Sequence, residues 1–457
     1  MALNEDEFSN ILTHDKTMLQ SLIKSMSLVI LMRVGGIALQ LLWFVLLVRL
    51  LPLEAVGIYS VVNSLWILTR ALGPAGYEIA FLREGGAKVA QHRYSDAKSY
   101  LHFGIGKALI FNSMLYAAVG LAAYWWQDSL RFISLSSVYI ALIGSYAYLL
   151  FGFYSSAMLA LEKQISAHAL ESLLLPFSVM VSAVLMAFSE MLTIDNLIIA
   201  QTIIALFIAA IYWMITRHNY GHHREKFTFD AKQEYKQLAK RLFGTIAFNN
   251  LNVRLPVVIA PFLIGIAATA LLEAAIRFAS LLGVIQWCAS FVVLPKISKV
   301  DTTAEPETLQ NLLIIGCWIV FLPSLALFLT LVFGGELLLE YIAGEEYIAA
   351  YLPMIILAIG YLINSSSGPT THFYMLLGYE KTALKISTTE TVIALITITV
   401  FSHYYGIIGM VTGMSLGLFF RNACLNYKLK DLTTLYSAIW SITGWKHAYQ
   451  IGVHRAE

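Results

Sequence analysis

Long apolar runs separated by short polar stretches recur along the chain from about residue 26 to residue 427. A run of about 20 apolar residues is what a helix needs to cross a hydrocarbon core about 30 Å thick, and a helix satisfies its own backbone groups where lipid offers them nothing. The pattern predicts twelve helical spans. Six lie near 26–51, 56–81, 103–125, 135–160, 166–188 and 194–216, and six near 242–265, 268–294, 310–334, 349–377, 383–402 and 406–427. The expected fold class is therefore all-α, a polytopic membrane protein. The longest polar connection, His218 to Arg241, falls midway. We expect a bundle over 1–216, a linker over 217–241, a second bundle over 242–427 and a tail over 428–457. In the tail, the stretch from Asp431 to Gln450 reads as an amphipathic helix lying at the interface.

Composition agrees with the pattern. The chain of 457 residues is 58% hydrophobic and 13% charged, with a mean hydropathy of +0.71, whereas soluble domains are about 25% charged. Lysine and arginine then set orientation, because short cytoplasmic loops retain them. Most of the 30 basic residues fall in alternate loops, if the N-terminus is cytoplasmic. The opposite loops carry Glu54, Asp128, Glu190, Asp195, Glu336, Glu340, Glu345 and Glu346 against the single basic residue Arg131. Both termini are expected in the cytoplasm. The net charge of +2 is a topology signal with some attraction to anionic lipid, and nucleic acid is not an expected partner. The acidic N-terminal segment has no signal-peptide pattern. Cys288, Cys317 and Cys424 have no metal-ligand spacing and read as packing residues, so no metal and no cofactor is expected.

MLALEKQ, Met158 to Gln164, and LLGYEKT, Leu376 to Thr382, each join an apolar helix to the next through a small residue and Glu-Lys. With the central linker and the equal span counts, they suggest two halves related by an axis along the membrane normal. Chance likeness between short membrane turns is the competing reading of the match.

VRLLPLEAVGIYS (Val48 to Ser60), FVVLPKISK (Phe291 to Lys299) and YYGIIGMVTGMS (Tyr404 to Ser415) resemble three stretches of the polysaccharide-transport flippases. These are the loop after the first helix, the exit from the eighth and the glycine-rich start of the twelfth. Two departures stand out: Val48-Arg49 where that family usually has alanine and arginine, and Leu51-Pro52 where it often has leucine and glycine. The resemblance implies the multidrug/oligosaccharidyl-lipid/polysaccharide exporter superfamily. It implies two pseudo-symmetric six-helix bundles that face each other across a central cavity and open alternately to either side. It further implies a bacterial cytoplasmic membrane protein, not an enzyme. Its expected partners are membrane lipid, other polysaccharide assembly proteins and a substrate, a lipid-linked oligosaccharide carried on a polyprenyl diphosphate.

Against that background the cations inside spans become informative. Arg33, Arg70, Lys107, Arg254 and Arg277 all fall within expected helices, and a basic residue facing lipid near the midplane costs about 2.5 to 3.5 kcal/mol on insertion scales. Arg33 shares a stripe with Gly36, Ile37 and Gln40, Arg70 one with Asn63 and Pro74, and Arg254 one with Asn250. In the resembling family, helices one, two, seven and eight line the cavity. The expected substrate-binding set is therefore Arg33, Asn63, Arg70, Lys107, Asn250, Arg254 and Arg277, with guanidinium groups forked onto phosphate oxygens. Structural alternatives stand beside this reading. Glu273 and Arg277 are spaced to pair on one helix, Arg33 can pair with Glu78 or Glu171, Lys107 can snorkel, and Arg49 suits an interfacial anchor.

Pro74, Pro176, Pro256, Pro261, Pro323 and Pro369 interrupt expected spans, and NSSSGP, Asn364 to Pro369, reads as a hinge. Glu78, Glu171, Glu273 and Glu390 are candidates for proton or sodium coupling. No phosphate-loop motif supports ATP hydrolysis by this chain. Two other functions compete: drug or lipid II export on the same fold, and a membrane polysaccharide polymerase, a class that normally carries a large outer loop. A cytoplasm-active reporter inserted after the central linker is expected to be active; activity only on the outer face would overturn the two-half arrangement.

Overall fold

The computed structural model describes residues 31–32, 34–125, 133–221, 228–297, 306–433 and 435–439. All regular secondary structure among them is helical: α1 Val34–Leu50, α2 Leu53–Leu72, α3 Tyr77–Ala90, α4 Tyr94–Trp125 and α5 Leu135–Ala160. These are followed by α6 Gln164–Phe188, α7 Ile194–Tyr220, α8 Phe229–Leu263, α9 Ile266–Ala279, α10 Leu281–Ile297, α11 Pro306–Ala343, α12 Tyr351–Ser366, α13 Thr370–Leu376 and α14 Glu380–Thr433. Nine helical stretches among the described residues are long and apolar enough to cross a membrane, and two shorter apolar ones, Val34–Leu50 and Leu251–Leu263, accompany them. One of the nine, within α14, holds two expected spans. The protein is a multi-pass, all-α membrane protein, and the count is consistent with twelve spans.

The chain forms two compact units. The first holds residues up to Leu46, Gly73–Leu130 and Ser134–Leu242; the second holds Leu47–Leu72, Arg131–Ile133 and the chain from Phe243 onward. The second expected span is not one helix. It stops at Leu72, turns through Gly73-Pro74-Ala75-Gly76 with φ of 50° at Ala75 and 81° at Gly76, and restarts as α3. Pro74 cannot donate to a continuing helix, and the left-handed pair reverses the ladder.

In the first unit, Phe81, Leu101, Leu149, Phe153 and Ala157 pack with Tyr220, Tyr235 and Ala239. The polar connection expected between the halves is thus helical from Phe229, and Tyr235 and Ala239 anchor it to the first bundle. The Tyr235 hydroxyl donates to Tyr77 O at 2.9 Å. Ser134 and Thr193 cap α5 and α7, and Ser134 and Ser137 both donate to Asp195, joining the two helix starts. In α6 the ladder widens to a π-turn at Leu170–Leu174, just ahead of Pro176. There α1 comes close: a Cβ on Gly36 would lie 2.9 Å from Ser172 O.

The matched motifs MLALEKQ and LLGYEKT both close helix reversals. Lys163 N donates to Met158 O around left-handed Glu162, and Tyr379 N donates to Tyr374 O around left-handed Gly378. The left-handed residue falls two places earlier in the second motif than the sequence match would put it.

In the second unit, α2 packs on α9 so closely that a Cβ on Gly57 would lie 2.2 Å from Ile266 O. Arg49 donates to the carbonyls of Tyr341 and Ile342 at the end of α11. It thus caps a helix C-terminus, where a cation is favoured. The helix α14 folds back on itself at Gly406, whose φ is 56° and ψ −134°. Its two arms meet along Gly409, Gly413 and Gly417, a small-residue stripe of the kind that lets membrane helices approach. A Cβ on Gly413 would lie 2.6 Å from Ile398 N, and one on Gly417 2.9 Å from the Ala394 Cβ. Gly413→Val is expected to destabilise this hairpin by about 1–3 kcal/mol. The measurement is the melting temperature of the detergent-purified protein, which should fall.

Candidate functional site

The second unit contains a buried charge network that five of its helices build. Arg254 stands on α8 just before Pro256. On α9, Glu273 and Arg277 are one turn apart, so both side chains leave the same face. Glu273 is fully buried. Its Oε1 lies 2.9 Å from Arg277 Nε and 3.5 Å from Arg254 Nη1. Two arginines thus share one carboxylate, leaving the trio with a net charge of about +1, and Glu273 Oε2 has no hydrogen-bond partner among the described residues. The arginine side chains are 20% and 16% exposed, so the positive end of the trio is its accessible end.

A second pair stands on the two arms of α14, where Arg421 Nη1 is 3.6 Å from Glu390 Oε1 and Glu390 is 2% exposed. Tyr361 of α12 lies near both Arg254 and Arg421. Amide side chains then carry the network to the gap between α12 and α13. Arg421 Nη2 and Asn422 Nδ2 each donate to Asn364 Oδ1 at 3.0 Å. Asn364 Nδ2 donates to Gln286 Oε1, and Gln286 Nε2 donates to Gly368 O at 2.7 Å.

The gap itself follows from Ser366-Ser367-Gly368-Pro369. Gly368 has φ of 62°, and a Cβ there would lie 2.9 Å from Cys317 Sγ, so both conformation and space call for glycine. Pro369 withholds the next N–H. The NSSSGP hinge is thus a real interruption of the helix, with its exposed backbone groups met by side chains. Pro256, Pro261 and Pro323 instead lie inside helices.

Of the residues singled out from sequence, the structure brings together Arg254, Arg277 and Glu273. The structural alternative for Arg277 and its pairing with Glu273 is present, and the same carboxylate also engages Arg254 from the neighbouring helix. Arg70 and Asn63 are partly buried on α2, in the same unit. Lys107 belongs to the first unit, where it is exposed with its Nζ 5.8 Å from the Phe103 ring centroid. Glu78 is also in the first unit, where it accepts from Ser156 Oγ at 3.3 Å, and Glu171 lies in the π-turn of α6. Arg33 and the Asn250 side chain lie outside the described residues. Arg421, Tyr361, Gln286 and Asn422 complete the network but do not stand out in the sequence. Arg421 sits near the C-terminal end of its expected span, where a basic residue is ordinary, and its partner Glu390 belongs to the other arm.

No protein-family description matches the chain, and no curated protein matches it in sequence. Solved structures do match its fold. The lipid II flippase MurJ in an inward closed conformation is 15% identical, with 93% of this chain and 91% of that one covered and a TM-score of 0.72. An inward-facing multidrug resistance MATE family transporter of the MOP superfamily is 12% identical, with 89% and 98% covered and a TM-score of 0.63. A MOP superfamily transporter from Pyrococcus furiosus, described by a reversed polarity of its binding pocket, is 11% identical, with 89% and 95% covered and a TM-score of 0.59. The fold is that of the MOP superfamily transporters.

Removing the shared carboxylate should be costly, because two guanidinium groups would lose a buried counter-ion. Glu273→Ala is expected to destabilise the folded protein by about 3–5 kcal/mol. Glu273→Gln combined with Arg277→Gln should recover part of that loss. A double-mutant cycle on thermal stability checks it, and additive single losses would contradict a shared ion cluster.

Proposed function

We propose that this chain is a flippase that moves a lipid-linked oligosaccharide, carried on a polyprenyl diphosphate, from the cytoplasmic to the outer leaflet for surface polysaccharide synthesis. The observation that carries this reading is the arginine-rich network of the second unit, in which two guanidinium groups share one fully buried carboxylate. An anion brought to the exposed side of Arg254 and Arg277 meets excess positive charge. At about 4 Å and an effective dielectric near 20, each charge contact contributes roughly 4 kcal/mol, enough to offset much of the cost of drawing a diphosphate away from water. Guanidinium adds forked hydrogen bonds to phosphate oxygens. Arg70 supplies a further cation, and Asn63 and Asn250 suit sugar hydroxyls. Arg33 and Lys107 complete the proposed basic path.

In this reading the chain works as two six-helix halves, 1–216 and 242–427, joined by the linker 217–241, and opens a central vestibule alternately to either side. It resides in a bacterial cytoplasmic membrane with both termini, including the tail 428–457, in the cytoplasm. Glu273 and Glu390 are the carboxylates most directly able to couple an ion to the cycle, since each holds an arginine whose release changes the charge of the site. Glu78 and Glu171 would act from the first unit. Lipid II export is the neighbouring reading on this fold. A cationic-drug exporter would more naturally present carboxylates than arginines.

Flip of a fluorescent polyprenyl diphosphate probe in proteoliposomes should fall about tenfold or more in Arg254→Ala and in Arg70→Ala, with Arg254→Lys intermediate because it keeps charge and loses the fork. In cells, surface polysaccharide should fall in parallel at unchanged membrane expression. Full flip and full polysaccharide in both alanine variants would overturn the proposal.

A further inference from the structure

Of the segment expected to form an interfacial helix, Asp431–Thr433 complete α14, residues 435–438 carry no regular secondary structure, Ile439 lies in a turn, and the remainder lies outside the described residues. Within this strap Leu435, Ser437 and Ala438 are buried. The strap doubles back beside α14 and lies against α11 and the gap between α12 and α13. Gln310 reads its backbone with both ends of one amide: Nε2 donates to Tyr436 O at 2.7 Å, and Tyr436 N donates to Oε1 at 2.8 Å. The Cys317 thiol donates to Ser437 O at 2.8 Å. The Ser437 hydroxyl is 3.0 Å from Thr370 Oγ1 and donates to Asn426 Oδ1 at 2.6 Å. Finally, Ile439 N donates to Ser366 O at 3.1 Å.

That last bond gives the strap a mechanical meaning. In a continuous helix, Ser366 O would accept from the N–H four residues on, which is that of Thr370. Here Ile439 N is seated on this carbonyl, and the Thr370 hydroxyl turns to Ser367 O and to the strap. Occupancy by the strap and closure of α12 onto α13 therefore compete for the same groups. The competition bears on the charge network, because Asn426 binds both Ser437 and Ser367, and Gln286 binds both Gly368 O and Asn364, the acceptor of Arg421. Hydrogen bonds from side chains and one backbone bond make the seat, together with Leu435, which packs in the apolar cluster of Leu309, Leu313, Phe373 and Leu425. Each of these hydrogen bonds is individually modest, and none is a rung of the α12 or α13 ladder.

We propose that residues 435–439 are a detachable wedge: seated, they hold the α12–α13 gap open, and withdrawn, they let that gap close and shift Arg421. The effect on transport rests on the flippase reading; the wedge itself does not.

Cys317 is buried and under the strap, which provides a direct readout. In a full-length background with Cys288→Ala and Cys424→Ala, maleimide alkylation of Cys317 in membranes should be slow. It should quicken about tenfold in Gln310→Ala, which removes both amide bonds, and in Tyr436→Pro, which removes the donor from the strap itself. Unchanged alkylation in both variants would overturn the wedge. In a second arm, oxidation of Ser437→Cys or Ala438→Cys should link the strap to Cys317, and probe flip should drop to background and return on reduction. Full flip by the oxidised, linked protein would show that transport does not need the strap to leave its seat and would overturn its proposed effect on transport, and failure of both positions to link would show that the strap does not lie there and would overturn the wedge itself. Loss of probe flip in the unlinked parent would count against the diphosphate substrate, while the alkylation rates would still decide the wedge.

Discussion

A hydrocarbon solvent accepts almost no unpaired polar group, and the organisation of this chain is a set of answers to that constraint. The backbone answers with helices. Hydroxyls answer by donating back one turn, as Ser60 does to Val56 O, Ser145 to Ala141 O, Ser324 to Val320 O and Thr391 to Ser387 O. Asn112 divides its amide hydrogens between Ala108 O of its own helix and Gly73 O, a carbonyl freed where α2 stops. Ionised groups have no such local solution. Their charges must be met by others, and Glu273, with no exposure at all, is met by arginines from two helices. Taking three ions from water costs several kcal/mol each, even after relaxation. Packing alone would be achieved as well by apolar residues, and the anion-binding role proposed above gives the charges of this trio a task.

The excess of guanidinium over carboxylate gives that task its sign. A one-to-one ion pair would be electrically closed. Here one carboxylate is spread over two arginines, and the nearby Arg421–Glu390 pair contributes a third arginine with a buried counter-ion of its own. A site of this kind repels cations and rewards an anion that brings several oxygens. Ligand binding and ion pairing then become alternatives for the same donors, a condition under which a substrate can shift a conformational equilibrium.

How much of this can be read from the chain depends on how far apart the interacting residues are. Membrane spans are legible because hydrophobicity is a local property: among the described residues every expected span falls largely on helix, and the hairpin at Gly406 opens where the glycine-rich motif begins. The break after Leu72 was hidden because Gly73-Pro74-Ala75-Gly76 is apolar enough to pass as span, although its turn chemistry is explicit. Glu273 and Arg277 share a helix and are visible as a pair. The bond from Arg254 to the same carboxylate crosses between helices, and no periodicity reports it. Arg421 and Glu390 are joined by the fold-back of α14, so their pairing appears only once the hairpin is known. Residues 435–439 are hard to read for a related reason: their mix of apolar and polar residues fits an interface, but a buried strap with matched hydrogen bonds needs the same pattern.

These features converge at the gap between α12 and α13. A proline in a membrane helix leaves a carbonyl without its donor, and most such helices resolve this with a kink, a nearby hydroxyl or water. Here the interruption is longer, with two serines and a left-handed glycine ahead of the proline, so several groups need partners at once. Side chains from α10 and α14 and backbone from the strap supply them, and one of these partners, Gln286, also binds Asn364, which holds Arg421. Backbone satisfaction and charge placement are consequently parts of a single hydrogen-bonded system. In the proposed reading, a change in how the gap is filled is felt at Arg421, and an anion that draws the arginines away from their carboxylates alters the demands on Asn364 and, through Gln286, on Gly368 O. In water such a chain of dependence would be dissipated by solvent at each link. In hydrocarbon each link must be remade with another protein group, which is why a polar path through this unit can transmit a binding event along its length.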